Sequence, residues 1–153
     1  MEKEYLSQEK YDELGRELDF LRKDKRKQVA ERLEQARSLG DLSENAEYHS
    51  ARDEQAELES RIEQLKDLLK RAEIIKHKVS DIADVGSVVT LQKKGDKDKI
   101  EYTIVGSEES DLSIGKISYQ SPLGAAIIGK KKKEEFSFET PKGDVKYIVV
   151  SIK

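Results

Sequence analysis

Three carboxylates, Asp41, Glu44 and Glu47, fall within seven residues of one another beside a glycine, Gly40. If that stretch is helical, Asp41 and Glu44 share one face about 5 to 6 Å apart, a separation at which two carboxylates can hold one hard cation. The same pair also reads as an acidic cap, because a helix N-terminus favours negative charge and unpaired N–H groups there need acceptors. Spacing leaves both readings open, although a cap needs only one oxygen. Mg²⁺ ordinarily takes one or two carboxylates and fills its shell with water and phosphate oxygens. Two carboxylates are therefore half a site, which a second macromolecule could complete as a phosphodiester-cleaving centre.

Arg37 and Arg52 flank this group and could meet phosphate oxygens; pairing with Glu34 or Asp53 is the alternative. A denser basic stretch, Arg22, Lys23, Lys25, Arg26 and Lys27, reads as a solvated helix face or as a nucleic-acid contact. Lys130 to Lys133, followed by Glu134 and Glu135, reads as a solubilised turn. His49 and His77 have no serine, cysteine or second histidine at catalytic spacing, so surface or packing roles are expected for both. No glycine-rich phosphate loop, nucleophile elbow or zinc spacing occurs in the chain.

The elements that must position these groups follow from periodicity. As far as Lys76 there is no proline, and the residues are mostly Glu, Lys, Arg, Leu and Ala, all strong helix formers. Tyr11, Leu14, Leu18 and Leu21 keep a 3-4-3 spacing, which the charged stretch interrupts before Val29, Leu33 and Ala36 resume it. After Gly40 a second seam runs through Tyr48, Ala51, Gln55, Leu58, Ile62, Leu65, Leu69 and Ala72. Neither narrow seam can bury itself, and each is the other's nearest partner once the chain folds back at Gly40. An antiparallel coiled-coil hairpin over residues 1–76 is predicted, with its acidic tip at 39–47 and arms reaching roughly 45 Å. Gly40 suits a left-handed helix end, and Asp41 and Ser43 are good N-caps for the second arm.

A short polar linker is expected at 77–84. Beyond it, Val88 to Leu91, Ile100 to Val105, Lys116 to Tyr119, Glu135 to Thr140 and Val145 to Ile152 read as strands of a meandering, largely antiparallel sheet. Ser121-Pro122 opens a short apolar helix that Gly129 closes. The fold class is α+β.

Composition bounds the function. The chain has 153 residues, 35% hydrophobic and 40% charged, yet 29 basic and 32 acidic side chains leave a net charge of only −3. A thin, elongated molecule is expected, and a general polyanion binder is excluded. The absence of cysteine removes disulfides, thiolate zinc sites and cysteine nucleophiles, and suits the cytoplasm. No signal peptide or membrane span is predicted.

Gly40-Asp41-Leu42-Ser43-Glu44-Asn45-Ala46-Glu47-Tyr48-His49, preceded by Glu34-Gln35-Ala36-Arg37 and followed by Ala51-Arg52, resembles the tip signature of the bacterial transcript-cleavage factors, the Gre family. Ser121-Pro122-Leu123-Gly124, Ile127-Ile128-Gly129-Lys130 and Thr140-Pro141-Lys142-Gly143 resemble the motifs of that family's C-terminal domain. Leu42, Ala46 to His49 and the acidic balance are similar to the acidic rather than the basic branch. The resemblance implies an FKBP-like domain over residues 85–153 and a non-enzymatic accessory role. It implies a hairpin that enters the secondary channel of bacterial RNA polymerase, where Asp41 and Glu44 hold a Mg²⁺ ion shared with the polymerase and not bound stably alone. The polymerase then cleaves its backtracked RNA at the nascent 3′ end. By the same resemblance the C-terminal domain docks at the channel rim, with Tyr119, Gln120, Ser121, Pro122 and Leu123 as the candidate contact. The factor is expected to act as a monomer, away from membranes. The basic stretches at Arg22 to Lys27 and Lys130 to Lys133 are fuller than the acidic branch suggests. From the residues alone, a coiled-coil interaction or holdase module with a merely capped tip is the alternative. An autonomous metal nuclease lacks the ligand number and substrate pocket it would need.

Overall fold

The computed structural model describes residues 2–40 and 44–153; Asp41, Leu42 and Ser43, and with them half of the expected acidic pair, lie outside the described residues. The chain forms two compact units, one of Glu9–Ala72 and one of Glu2–Gln8 together with Glu73–Lys153.

The first unit is the helical hairpin. Its first arm joins α1 (Gln8–Phe20) to α2 (Arg26–Arg37) through a π turn at Leu21–Lys25, with right-handed helical backbone across both junctions. Its second arm is one helix, α3 (Ala46–Arg71). The arms run antiparallel, because the ion-pair partners fall in number on one arm as they rise on the other: Glu17 with Arg61, Arg26 with Glu59, and Arg32 with Glu47. Leu14, Leu18, Val29 and Ala36 are buried on the first arm, and Ala51, Leu58, Ile62, Leu65 and Leu68 on the second. Each fully buried leucine or isoleucine contributes about 1.5–3 kcal/mol, whereas exposed ion pairs contribute little. The seam therefore holds the arms together and the charges select their register.

The π turn explains the interruption in the first seam. Between Leu18 and Val29 the inward position falls to Lys25, which is half-buried and pairs with Glu54 at 3.0 Å. The Arg26 amide donates to the Leu21 carbonyl, a five-residue reach that takes in the extra residue. The expected seam runs on through Leu69 to Ala72, but Leu68 is the buried residue at the end of α3, Leu69 is only half-covered, and Ala72 has left the helix for a short strand. A strict seven-residue repeat drifts around a 3.6-residue helix by the last turns.

The second unit is a five-stranded sheet in the order β5-β4-β3-β7-β6. Its strands are β3 (Val88–Lys93), β4 (Lys99–Val105), β5 (Lys116–Ser118), β6 (Glu135–Thr140) and β7 (Gly143–Ile152). The expected meander is corrected in two respects. β7 returns to lie between β3 and β6, with Leu91 opposite both Ile100 and Val149, and β5 pairs with β4 in parallel. β3, β4 and β7 each pair on both edges, and β7, with its apolar run Val145 to Ile152, is long enough to serve β3 and β6 together. Helix α4 (Pro122–Ile127) packs Ile127 into a core of Ala83, Val89, Leu91, Ile104, Ile117, Phe136 and Val149. Two short strands, β1 (Glu4–Leu6) and β2 (Ala72–Ile74), pair with each other. Residues 2–8, counted with the hairpin in the sequence, thus belong to the sheet unit. The segment 77–84 does not end as a free linker: Ala83 is buried and exchanges backbone hydrogen bonds with Gly129 and Lys130.

Candidate functional site

The hairpin turns over where α2 ends. The Ser38 amide donates to the Glu34 carbonyl and the Leu39 amide to the Ala36 carbonyl, and Gly40 follows at φ +130°. A side chain is strained at that φ, so glycine lets the chain leave the helix there. The expected capping pattern is corrected. Asp41 and Ser43 are not the described cap of α3; Asn45 is, its side-chain oxygen accepting from the Tyr48 amide at 3.1 Å. Glu44 precedes the cap in a turn and is exposed. Glu44 lies outside α3 and is not its cap; the expected 5 to 6 Å separation from Asp41 falls outside the described residues. Glu47, the third carboxylate, lies in the first turn of α3 and pairs with Arg32 at 3.6 Å.

Around the tip the two expected arginines form no ion pair with a described acid. Arg37 is exposed at the last position of α2, and no ion pair joins it to Glu34 or to any other described acid. Arg52, exposed on α3, makes a long 3.5 Å contact from Nη1 to the Tyr48 hydroxyl and no described pair with Asp53. Leu39 is 71% exposed. His49 is exposed and its ring meets Tyr48 edge-on, and His77 is exposed beyond β2.

The basic stretch lower on the first arm divides. Arg26 makes a bidentate bridge to Glu59 at 2.8 and 2.7 Å, and Lys25 and Arg32 both hold Glu54. The hydrogen bonds from Lys25 and then Arg32 hold the Glu54 carboxyl below its ordinary range, and the bond from Arg26 does the same for Glu59. Arg22, Lys23 and Lys27 are exposed and carry no described ion pair. Lys130 to Lys133 form the turn entering β6, with the Lys131 amide on Glu134 and Lys130 paired to Glu134 at 3.9 Å.

On the sheet unit, Tyr119 to Ser121 form the turn from β5 into α4, whose first residues are Pro122 and Leu123. Ser121 Oγ caps α4 by accepting from the Gly124 amide at 3.1 Å. A Cβ on Gly124 would stand 1.9 Å from the Ser118 carbonyl oxygen, so glycine alone lets α4 sit against β5. Tyr119 packs edge-on against Tyr5 with centroids 5.3 Å apart. Burial, and next the Glu4 carboxylate, push its phenol up. Gln120 donates to the Tyr119 hydroxyl and accepts from Ser107. Pro122 and Leu123 line a groove of ≈ 520 Å³ with Tyr102, Phe138 and Tyr147.

Among the described residues no three carboxylate or histidine side chains converge as a metal site. The donor chemistry at the tip nevertheless suits Mg²⁺, since Glu44 offers exposed hard oxygen and the ion commonly takes only one or two carboxylates. Asn45 is the residue of this site that periodicity missed; three possible caps stand in succession there, and local propensity does not choose among Asp, Ser and Asn.

The sequence matches two family profiles that together span most of its length: "Transcription elongation factor, N-terminal" over residues 4–74 and "Transcription elongation factor, GreA/GreB, C-term" over residues 77–153. It is 44% identical over 150 residues to the transcription elongation factor GreA of Clostridioides difficile (strain 630), covering 97% of this chain and 94% of that one. To the GreA of Bacillus cereus (strain ATCC 14579) it is 43% identical over 155 residues, covering 99% and 98%. The solved structure of the GreA factor homolog Gfh1 of Thermus thermophilus is 28% identical, covers 99% of both chains and gives a TM-score of 0.45. With both halves matched over nearly their full length, the chain belongs to the GreA/GreB family of transcription elongation factors.

Proposed function

We propose that this elongation factor works inside bacterial RNA polymerase, inserting the hairpin tip through the secondary channel and stimulating the polymerase's own cleavage of backtracked RNA. The chain is an accessory factor and not an enzyme. The observation that carries the mechanism is Glu44: exposed, outside the helix, and relieved of capping by Asn45. A carboxylate so left can meet a cation that another macromolecule partly holds.

In this reading Asp41 and Glu44 hold a Mg²⁺ ion jointly with the polymerase, and neither holds it stably without the polymerase. Such an ion lowers the pKa of a bound water and neutralises charge on the scissile phosphate. The chain's own residues supply placement. The seam keeps both arms straight enough to present the tip, and the first arm's length corresponds to roughly 45 Å of reach. Arg37 and Arg52 form an ion pair with none of the described acids and can donate to phosphate oxygens beside the metal. Arg22, Lys23 and Lys27 lie about 15 to 22 Å from Arg37 along the helix, too far for the reacting phosphate, and act on RNA or the channel wall. Lys25 and Arg26 serve the hairpin first and RNA only secondarily. The segment Tyr119 to Leu123 docks at the channel rim, its exposed face held by Ser121 and Gly124. The factor acts as a cytoplasmic monomer, with polymerase and the nascent RNA 3′ end as its partners.

The test is direct. A bacterial polymerase halted in a backtracked state receives the protein and Mg²⁺; short RNA fragments should appear, and the new 3′ ends should extend on nucleotide addition. Release at the rate of polymerase alone would refute the function.

A further inference from the structure

We infer that Asn45 is a positioning residue for Glu44, tying the two arms together immediately beside it. Its side chain makes two bonds that point in opposite directions along the chain. Oδ1 accepts from the Tyr48 amide of α3 at 3.1 Å, while Nδ2 donates to the Ala36 carbonyl of α2 at 2.5 Å. That same carbonyl accepts the Leu39 amide at 3.2 Å. One peptide group thus receives both a bond from the end of the first arm and the side-chain bond from the start of the second, so the two arms are pinned together through a single carbonyl. Glu44 is the residue directly before the pin, and its backbone has no helix to hold it.

The residue type follows from the two bonds. An amide carries an acceptor and a donor on one rigid plane. Asp would keep the acceptor for Tyr48 but lose the donor, setting a carboxylate against the Ala36 oxygen and beside Glu44. Ser would keep a cap, yet its shorter side chain would not span both partners. Capping alone would be served equally by all three, so the arm-to-arm bond is what Asn adds. Placement of a catalytic group to within an ångström is worth up to about a hundredfold in rate, and the pin controls that placement for Glu44.

The kinetic arm of the test rests on the cleavage reading above; the exchange arm does not. Asn45→Asp and Asn45→Ser, in the full chain, retain the cap and should stay folded, with melting lowered only by the loss of one hydrogen bond. Each should lower the cleavage rate at saturating factor by about tenfold, with the half-saturating concentration for polymerase changed less than about twofold. In the free protein, NMR hydrogen exchange at the Leu39 amide should quicken in both variants, whereas Glu44→Gln should lose cleavage with Leu39 exchange unchanged. Wild-type saturated rates in both Asn45 variants would overturn the inference and leave Asn45 a cap. If the wild-type protein itself stimulates no cleavage, the function fails and exchange decides alone: unchanged Leu39 protection in both variants overturns the pin, and faster exchange supports it.

Discussion

The middle of the hairpin and its tip both carry charges of both signs, yet they use them in different ways. In the middle, Lys25, Arg26, Arg32 and Arg61 each hold a glutamate across the seam. At the tip, Arg37 and Glu44 are exposed without a described ion pair, and Arg52 reaches only a tyrosine hydroxyl. The difference teaches that a count of charges does not locate function in a helix of this composition. Charges satisfied across the arms set register, while those left over at the end of a long lever are available to another molecule.

The largest expected effect falls at the tip. Asp41→Ala or Glu44→Ala should slow cleavage by roughly 10² to 10³, a few kcal/mol of transition-state stabilisation, with little change in melting. Single-turnover cleavage and calorimetry on the same preparations check both halves. Equal loss of stability and activity would erase the contrast with the middle.

Next come the tip arginines. Arg37→Ala and Arg52→Ala should each lower the saturated cleavage rate by about tenfold, because a charge-assisted bond near the reacting phosphate acts in the transition state. Titration of each variant into backtracked complexes separates rate from binding; a change in half-saturation alone would place these arginines with the tethering charges.

A smaller effect should sharpen the division within the basic stretch. Reversing Arg22, Lys23 and Lys27 together should weaken association and flatten its salt dependence, since each lost phosphate contact removes counterion release. Reversing Lys25 and Arg26 should instead lower the hairpin's melting temperature by putting like charges against Glu54 and Glu59. Binding measured at two salt concentrations, beside melting curves, tells the pairs apart; identical behaviour would dissolve the distinction.

The smallest effect is with pH. Glu54 and Glu59 have folded-state pKa values below the ordinary 4.5. Their contribution is therefore fully present above that value and is lost as pH falls through the depressed folded values. Helical circular dichroism melts should show stability declining below about pH 4.5, with a shallower decline in Glu54→Gln/Glu59→Gln. An unchanged slope would remove these pairs from the stability of the hairpin.

Much of this was legible in the residues because it is local. The two apolar seams, the glycine between them, and the Ser121-Pro122 opening and Gly129 close of α4 each rest on neighbours in sequence. What was not legible depends on partners far along the chain. The three-residue strand β1 carries no usable period and exists through pairing with β2 and packing of Tyr5 on Tyr119. Ala83 reads as linker and becomes core through its bonds to Gly129 and Lys130. The π turn was visible only as a lapse in the seam; that Lys25 would fill the gap was decided by Glu54 on the opposite arm. At the site itself, the acidic pair and its arginines could be named from the signature, but Asn45 could not be chosen over Asp41 and Ser43 as the cap. That choice turns on a bond to Ala36 across the turn.

The account stands most directly on one paired measurement: melting temperature and saturated cleavage rate for Glu44→Gln and Glu54→Gln, each in the full chain with backtracked polymerase and Mg²⁺. Glu44→Gln should keep the wild-type melting temperature and lose cleavage by roughly a hundredfold or more, while Glu54→Gln should melt earlier and, once folded, cleave at the wild-type rate. Wild-type cleavage by Glu44→Gln, or equal cleavage losses in both variants, would contradict it.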